Sequence, residues 1–225
     1  MQMPLFTAPR ANTDGADGTD GPSLALDRAF ADALGGGPIA GVDEAGRGPW
    51  AGPVVAAAVV LDPAAVPPGL DDSKKLSAAR RAILFDAVLK QAVAVGVGQA
   101  SVEEIDRLNI LAASHLAMRR AVDDLAVRPA GCLIDGNRDP ELDLPARPIV
   151  KGDARSVSIA AASIVAKVRR DRIMADLARA YPAYGWERNA GYGVPAHRDA
   201  LNRVGPCVHH RKSFAPIRDL IVKDS

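Results

Sequence analysis

Three short apolar runs in this chain end in carboxylates. Residues 39–42 run into Asp43-Glu44, residues 132–134 into Asp135, and residues 148–150 reach Asp153 through Lys151-Gly152. Runs of this length read as buried strands. Where the strand ends of an α/β sheet converge on one edge, their side chains enter a common crevice. The chain is therefore constrained to a sheet that gathers negative charge at one end.

The rest of the chain supplies that sheet. Residues 39–43 and 54–61, separated by a Gly- and Pro-rich turn, predict an antiparallel hairpin with a long loop. Ser77 is a candidate N-cap for a helix to about residue 93, and residues 94–99 return to strand character. Ser101 and Glu104 form a capping box heading a helix expected to run to about residue 125. Strands follow at 131–135 and 148–151, then a long helix at 156–180. A hairpin followed by alternating helices and strands makes the fold class α/β, with a mixed sheet covered by helices.

Three segments are expected. Residues 1–36 hold five Asp against two Arg by residue 40 and end in Gly35-Gly36-Gly37. They read as a disordered polar tail with room for one short helix at 24–34. Residues 37–180 form the main domain, and residues 181–225, rich in Gly and Pro, a helical segment packed on it. Length permits about one domain.

Net charge is only +1, but residues 151–225 carry fourteen Lys or Arg against seven acids. That surplus suits a phosphate backbone, and equally a solvated mixed surface. Cys132 and Cys207 make neither a disulfide framework nor a zinc site, so a reduced cytoplasmic protein is expected. No signal-like start and no apolar run approaching roughly 20 residues argues for secretion or a membrane.

Oxygen-only ligands without neighbouring His or Cys select hard ions such as Mg²⁺ or Mn²⁺. Two such ions about 4 Å apart can activate water and stabilise a leaving oxygen at phosphorus. A single strand-end acid is more often a turn residue, and Asp135-Gly136-Asn137 is good turn chemistry. Three acids at three strand ends reverse that preference. Successive strand residues face opposite ways, so Asp43 and Glu44 share a site only if the strand ends there.

Six stretches carry a resemblance: GVDEAGRGPWAGPVVAAAVVL at 41–61, DDSKKLS at 71–77, LIDG at 133–136, KGDARSVSIAAASIVAKVRRDRIM at 151–174, YPAYGWERNAGYGVPAH at 181–197 and HHRKSF at 209–214. In order and spacing they resemble the type 2 ribonucleases H, bacterial ribonuclease HII in particular. The resemblance implies a ribonuclease H-like fold with a five-stranded mixed sheet flanked by helices and a small C-terminal helical part. It implies a monomeric endonuclease cutting the RNA strand of RNA–DNA hybrids, and single ribonucleotides in duplex DNA, to 3′-hydroxyl and 5′-phosphate ends. A place in DNA replication and repair comes with it, while a replication-clamp contact through the tail is not determined by the sequence.

Carried over by motif, Asp43, Glu44, Asp135 and Asp153 are the metal-binding and catalytic carboxylates. Gly46, Arg47 and Gly48 contact the ribose at an RNA–DNA junction, and Tyr192 packs against the following nucleotide. Lys74, ahead of the helix at Ser77, suits a phosphate contact or a solvated surface equally. His197, His209 and His210 are not needed by the carboxylate chemistry. The chain departs from the family pattern at Ala190 and Val194, where a basic residue and a threonine are usual. The rival readings are ribonuclease HIII, which carries a further folded N-terminal domain, a binding protein that has lost catalysis, and a purely structural α/β protein.

Overall fold

The computed structural model describes residues 21–223. Its centre is a five-stranded sheet in the order β3-β2-β1-β4-β5. The strands are β1 (Ile39–Ala45), β2 (Val54–Val60), β3 (Ala94–Ala100), β4 (Gly131–Asp135) and β5 (Ala146–Ile149). β2 pairs antiparallel with β1 and β3, whereas β4 runs parallel to β1 and β5 to β4. The mixed sheet and the hairpin agree with expectation; the fifth strand lies two residues earlier than its sequence suggested.

β2, Val-Val-Ala-Ala-Ala-Val-Val, is buried along its whole length because both faces are covered. Ala56, Ala58 and Val60 pack with Ala113, Ala117 and Ala121 of α4 (Ile110–Asp123). Ala57 and Val59 face Leu84, Phe85 and Val88 of α2 (Ala78–Gln91) and the alanine-rich start of α5 (Val157–Ala180). Small residues bring α5 close to the sheet. At Gly41 an added Cβ would lie 2.1 Å from the backbone of Ser158, so only glycine admits the helix there.

The caps read from sequence are present. Ser77 accepts from the Arg80 amide, and Ser101 and Glu104 form the reciprocal box; the structure adds a third cap, Ser156, which accepts from the Ile159 amide at the head of α5. Two expectations need correction. The helix from Ser101 does not run unbroken to residue 125: α3 (Val102–Leu108) stops at Asn109, and α4 begins after it. Asn109 has φ 71°, and its side chain accepts from the amides of Leu111 and Ala112, capping the start of a second helix.

The second correction concerns the tail, whose short helix expected at 24–34 is present but packed on the sheet. Residues 1–20 lie outside the described residues, but α1 (Ala25–Ala33) is folded. Its Phe30 packs with Ile39, Leu133, Ile149 and Ile159, and an isolated bridge joins Ser23 to Ser156. Apolar burial holds this part in place, so it is not disordered.

Beyond α5 come a 3-10 turn (Pro182–Tyr184) and α6 (Trp186–Asn189), α7 (Pro195–Val204) and α8 (Ala215–Lys223). Trp186, Tyr184, Leu201 and Ile217 close a small core against Ala51, Met174 and Ala178. Among the described residues no helix is long and apolar enough to cross a membrane.

Candidate active site

The ends of β1 and β4 lie side by side, and the turn after β5 crosses in front of them. Asp43 on β1, Asp135 closing β4 and Asp153 in the 3-10 turn Gly152–Ala154 each offer an oxygen within 4.8 Å of the others. Local backbone fixes two of the three carboxylates. Asp43 Oδ1 accepts from the Glu44 amide at 2.7 Å, and Asp135 Oδ1 accepts from the amides of Gly152 at 2.7 Å and Asp153 at 3.4 Å. Lys151, with φ 54°, turns the chain so that Asp153 faces the other two.

Crowded carboxylates in a dry place resist ionisation. Burial, then the charges of Glu44 and Asp135, pushes Asp43 well above the usual carboxylate range. Burial and the charge of Asp153 raise Asp135 against the two amides it accepts. Lys74 supplies a cation, its Nζ lying 3.3 Å from Asp153 Oδ2 and 3.8 Å from Asp72. Burial alone would lower Lys74, but Asp153, Asp72 and Asp43 more than offset it and raise the amine.

Glu44 is placed differently from its three partners. β1 does not end at Asp43: it continues to Ala45, which pairs with Val55. Alternation therefore holds, with Asp43 beside Ala57 on the α5 face and Glu44 beside Ala56 on the α4 face. Glu44 borders the cluster without joining it. Its carboxylate meets Arg47 Nη1 at 3.3 Å, and burial raises it while Arg47 opposes.

Two concavities meet at this point. One, of about 260 Å³, runs from Asp43 and Lys74 past Gly46, Arg47 and Gly48 to Tyr192. The other, of about 200 Å³, continues over α4 to His115 and Asn137. Glu44, Arg47 and Asp135 line both, so the two form one groove with the aspartates in its wall. Tyr192 is 45% exposed on the opposite wall, and an added Cβ at Gly48 would sit 3.5 Å from its ring. Eight of the nine candidate residues thus line the 260 Å³ part of the cleft, which also takes in Ser163, Lys167 and Arg170; the ninth, Asp153, sits just behind it, its carboxylate near those of Asp43 and Asp135 and meeting Lys74.

The histidines serve elsewhere. His197 Nε2 lies 3.1 Å from His210 Nε2 and accepts from Trp186 Nε1, while His197 Nδ1 meets the Tyr192 carbonyl at 2.9 Å. Two residues that sequence reasoning did not single out for this region are Arg170 and Arg211, buried behind the glycine loop. HHRKSF contained the second of them, with nothing local to mark it as buried.

A mixed sheet in this strand order, with carboxylates gathered where β1 and β4 end, defines the ribonuclease H-like class of hydrolases. The family model for ribonuclease HII matches residues 40–217. A ribonuclease HII from Paramagnetospirillum magneticum is 62% identical over 186 residues, covering 81% of this chain and 92% of that protein. One from Ruegeria pomeroyi is 55% identical over 223 residues, covering 99% and 94%. Among solved structures, the ribonuclease H2 of Pyrococcus horikoshii OT3 superposes with a TM-score of 0.67 at 26% identity, over 83% of this chain and 98% of its own. The PCNA:RNase HII complex from Archaeoglobus fulgidus gives a TM-score of 0.65 at 26% identity, over 79% and 95%. This chain belongs to the ribonuclease HII family. It is accordingly an endonuclease that cleaves RNA in RNA–DNA hybrids.

Proposed function

We propose that the cleft hydrolyses the phosphodiester on the ribonucleotide side of an RNA–DNA junction, single ribonucleotides in duplex DNA included. The observation that carries this reading is the juxtaposition of three aspartates, oxygens within 4.8 Å, with a glycine loop and an exposed tyrosine across one groove.

The donor set fits hard divalent cations. All three donors are carboxylate oxygens, and the repulsion that raises Asp43 and Asp135 is what a bound cation relieves. Asp43, Asp135 and Asp153 would hold Mg²⁺ or Mn²⁺, with Glu44 at the rim available to a second ion. When bound, the ions would supply an activated water and a stabilised leaving oxygen, giving 3′-hydroxyl and 5′-phosphate ends.

The chain's own groups do the rest. Lys74, its side chain 76% exposed though its Nζ meets Asp153, is free to meet a phosphate at the mouth of the cleft. Gly46, Arg47 and Gly48 bring backbone close enough to recognise a 2′-hydroxyl, the group that separates RNA from DNA. Tyr192 packs flat on the next sugar, a surface open only when that sugar lacks its own hydroxyl. We further place the enzyme in the cytoplasm as a monomer, and a sliding-clamp contact like that of the Archaeoglobus protein is the partner to seek.

The test compares kcat/KM on a duplex with one ribonucleotide and on an all-RNA hybrid, for wild type and Tyr192→Ala. Loss of a stacking contact worth about 1–3 kcal/mol should depress cleavage at the single ribonucleotide about ten- to a hundredfold. If both absolute values and their ratio stay put, Tyr192 is a packing residue and the junction is read elsewhere.

A further inference from the structure

The loop joining β1 to β2 is folded around two positive charges. Arg211 is fully buried. Its Nη2 donates to the carbonyls of Gly46 at 2.6 Å, Gly52 at 2.8 Å and Pro53 at 3.2 Å. Nη1 donates to the Arg47 carbonyl at 2.9 Å, and Nε to Gly52 at 2.9 Å. Arg170, 1% exposed, donates to the carbonyls of Pro53 and Ala51 at 3.1 Å and to Ala190 at 3.0 Å. Carbonyl oxygens that converge on one point repel one another unless a cation sits among them. Each guanidinium, in turn, has these dipoles in place of a carboxylate.

Backbone geometry carries the consequence outward. In a trans peptide the carbonyl and the following N–H point in opposite directions. With the carbonyls of Gly46 and Arg47 drawn onto Arg211, the amides of Arg47 and Gly48 are turned away from it. Neither amide has an acceptor in the chain among the described residues, and both residues line the cleft. Gly46 makes the turn with φ 101°, and an added Cβ there would meet Arg170. Arg170 reaches Ala190 as well, two residues before Tyr192, so one buried pair sets both walls that face a substrate.

We propose that Arg211 is the positioning residue for substrate recognition: it aims the Arg47 and Gly48 amides into the cleft as a donor pair for an oxygen of the nucleic acid. Arg170 supports the same loop from the α5 side. The inference rests on the reading of the cleft as a ribonucleotide site.

Arg211→Lys keeps the charge and loses the fork, so it reaches fewer carbonyls. On a duplex with one embedded ribonucleotide the variant should raise KM tenfold or more while kcat falls less than threefold. The thermal shift produced by Mn²⁺ should match wild type, since the aspartates lie on other elements. In ¹H–¹⁵N spectra without metal, the Arg47 and Gly48 amides should move when this duplex is added to wild type and stay still in the variant. Arg211→Ala with millimolar guanidinium, against equal sodium chloride, should reverse part of the rise in KM. Unchanged KM in Arg211→Lys overturns the proposal, as does a fall in kcat as large as the rise in KM on every substrate, the mark of a merely structural role. Should Arg211→Lys fail to fold, Arg170→Lys is read in its place with the same signature, and failure of both to melt cooperatively also overturns it. A wild type that leaves the ribonucleotide duplex uncut, by contrast, refutes the reading of the cleft itself.

Discussion

Asp43 occupies a place where a charge is costly without a cation. It is 5% exposed, and burial together with Glu44 and Asp135 raises its carboxyl. An amide of the same shape removes that repulsion and keeps the Oδ1 that accepts the Glu44 amide. Asp43→Asn, and likewise Asp135→Asn, should therefore abolish cleavage while leaving the metal-free melting temperature unchanged or higher. Activity retained in both variants would remove these aspartates from the chemistry. At this scale the sequence was partly legible. Asp43 and Asp135 stood out because each ends an apolar run, and Asp153 because it follows one after two residues. The side on which Glu44 lies depended on whether β1 stopped at Asp43, and the pairing of Ala45 with Val55 that decides it is tertiary. Arg170 and Arg211 were hidden for the same reason. A guanidinium in a basic stretch reads as surface until carbonyls distant in sequence are seen to converge on it.

At the scale of elements, local chemistry announced starts better than ends. Ser77, and Ser101 with Glu104, each marked a helix start that the fold uses. The break at Asn109 was missed because apolar periodicity passes through it, while the side-chain cap that makes the break is specific to one asparagine. Val194, where the family usually has threonine, heads α7 with no side-chain cap. α1 was read as part of a polar tail since its composition is thin in core formers, yet Phe30 reaches the sheet. Deleting residues 2–35 should consequently lower stability by roughly 3 kcal/mol or more, the scale of losing one buried aromatic side chain. Deleting residues 2–20, a stretch poor in core formers, should leave stability and turnover close to the full chain. Denaturant midpoints of the two truncations decide it: equal midpoints would mean that α1 adds nothing to the fold.

Across the whole molecule two centres respond to pH in opposite directions. In the C-terminal core, His210 Nδ1 accepts from the Cys207 amide, so the neutral ring carries its proton on Nε2 and donates to His197. His197 then donates from Nδ1 to the Tyr192 carbonyl and leaves Nε2 to accept from Trp186 and His210. A further proton on either ring would face an N–H donor. Burial and the His197 charge lower His210 from the ordinary 6.5 to about 4, and burial lowers His197 as well. A lowered histidine contributes stability that is complete above pH 6.5 and lost as pH falls through its folded value. The carboxylates Asp43, Glu44 and Asp135 are raised, so their contribution is present at low pH and lost as pH rises. A bare pH–stability curve mixes the two. The difference between wild type and His210→Gln isolates His210, because the acid cluster and His197 are common to both. Between about pH 7 and about pH 4 wild type should lose about 3 kcal/mol more than the variant, at about 1.4 kcal/mol per pH unit. Urea titrations across that range measure it. Parallel curves for the two proteins would mean that His210 takes up its proton in the fold as readily as in the unfolded chain.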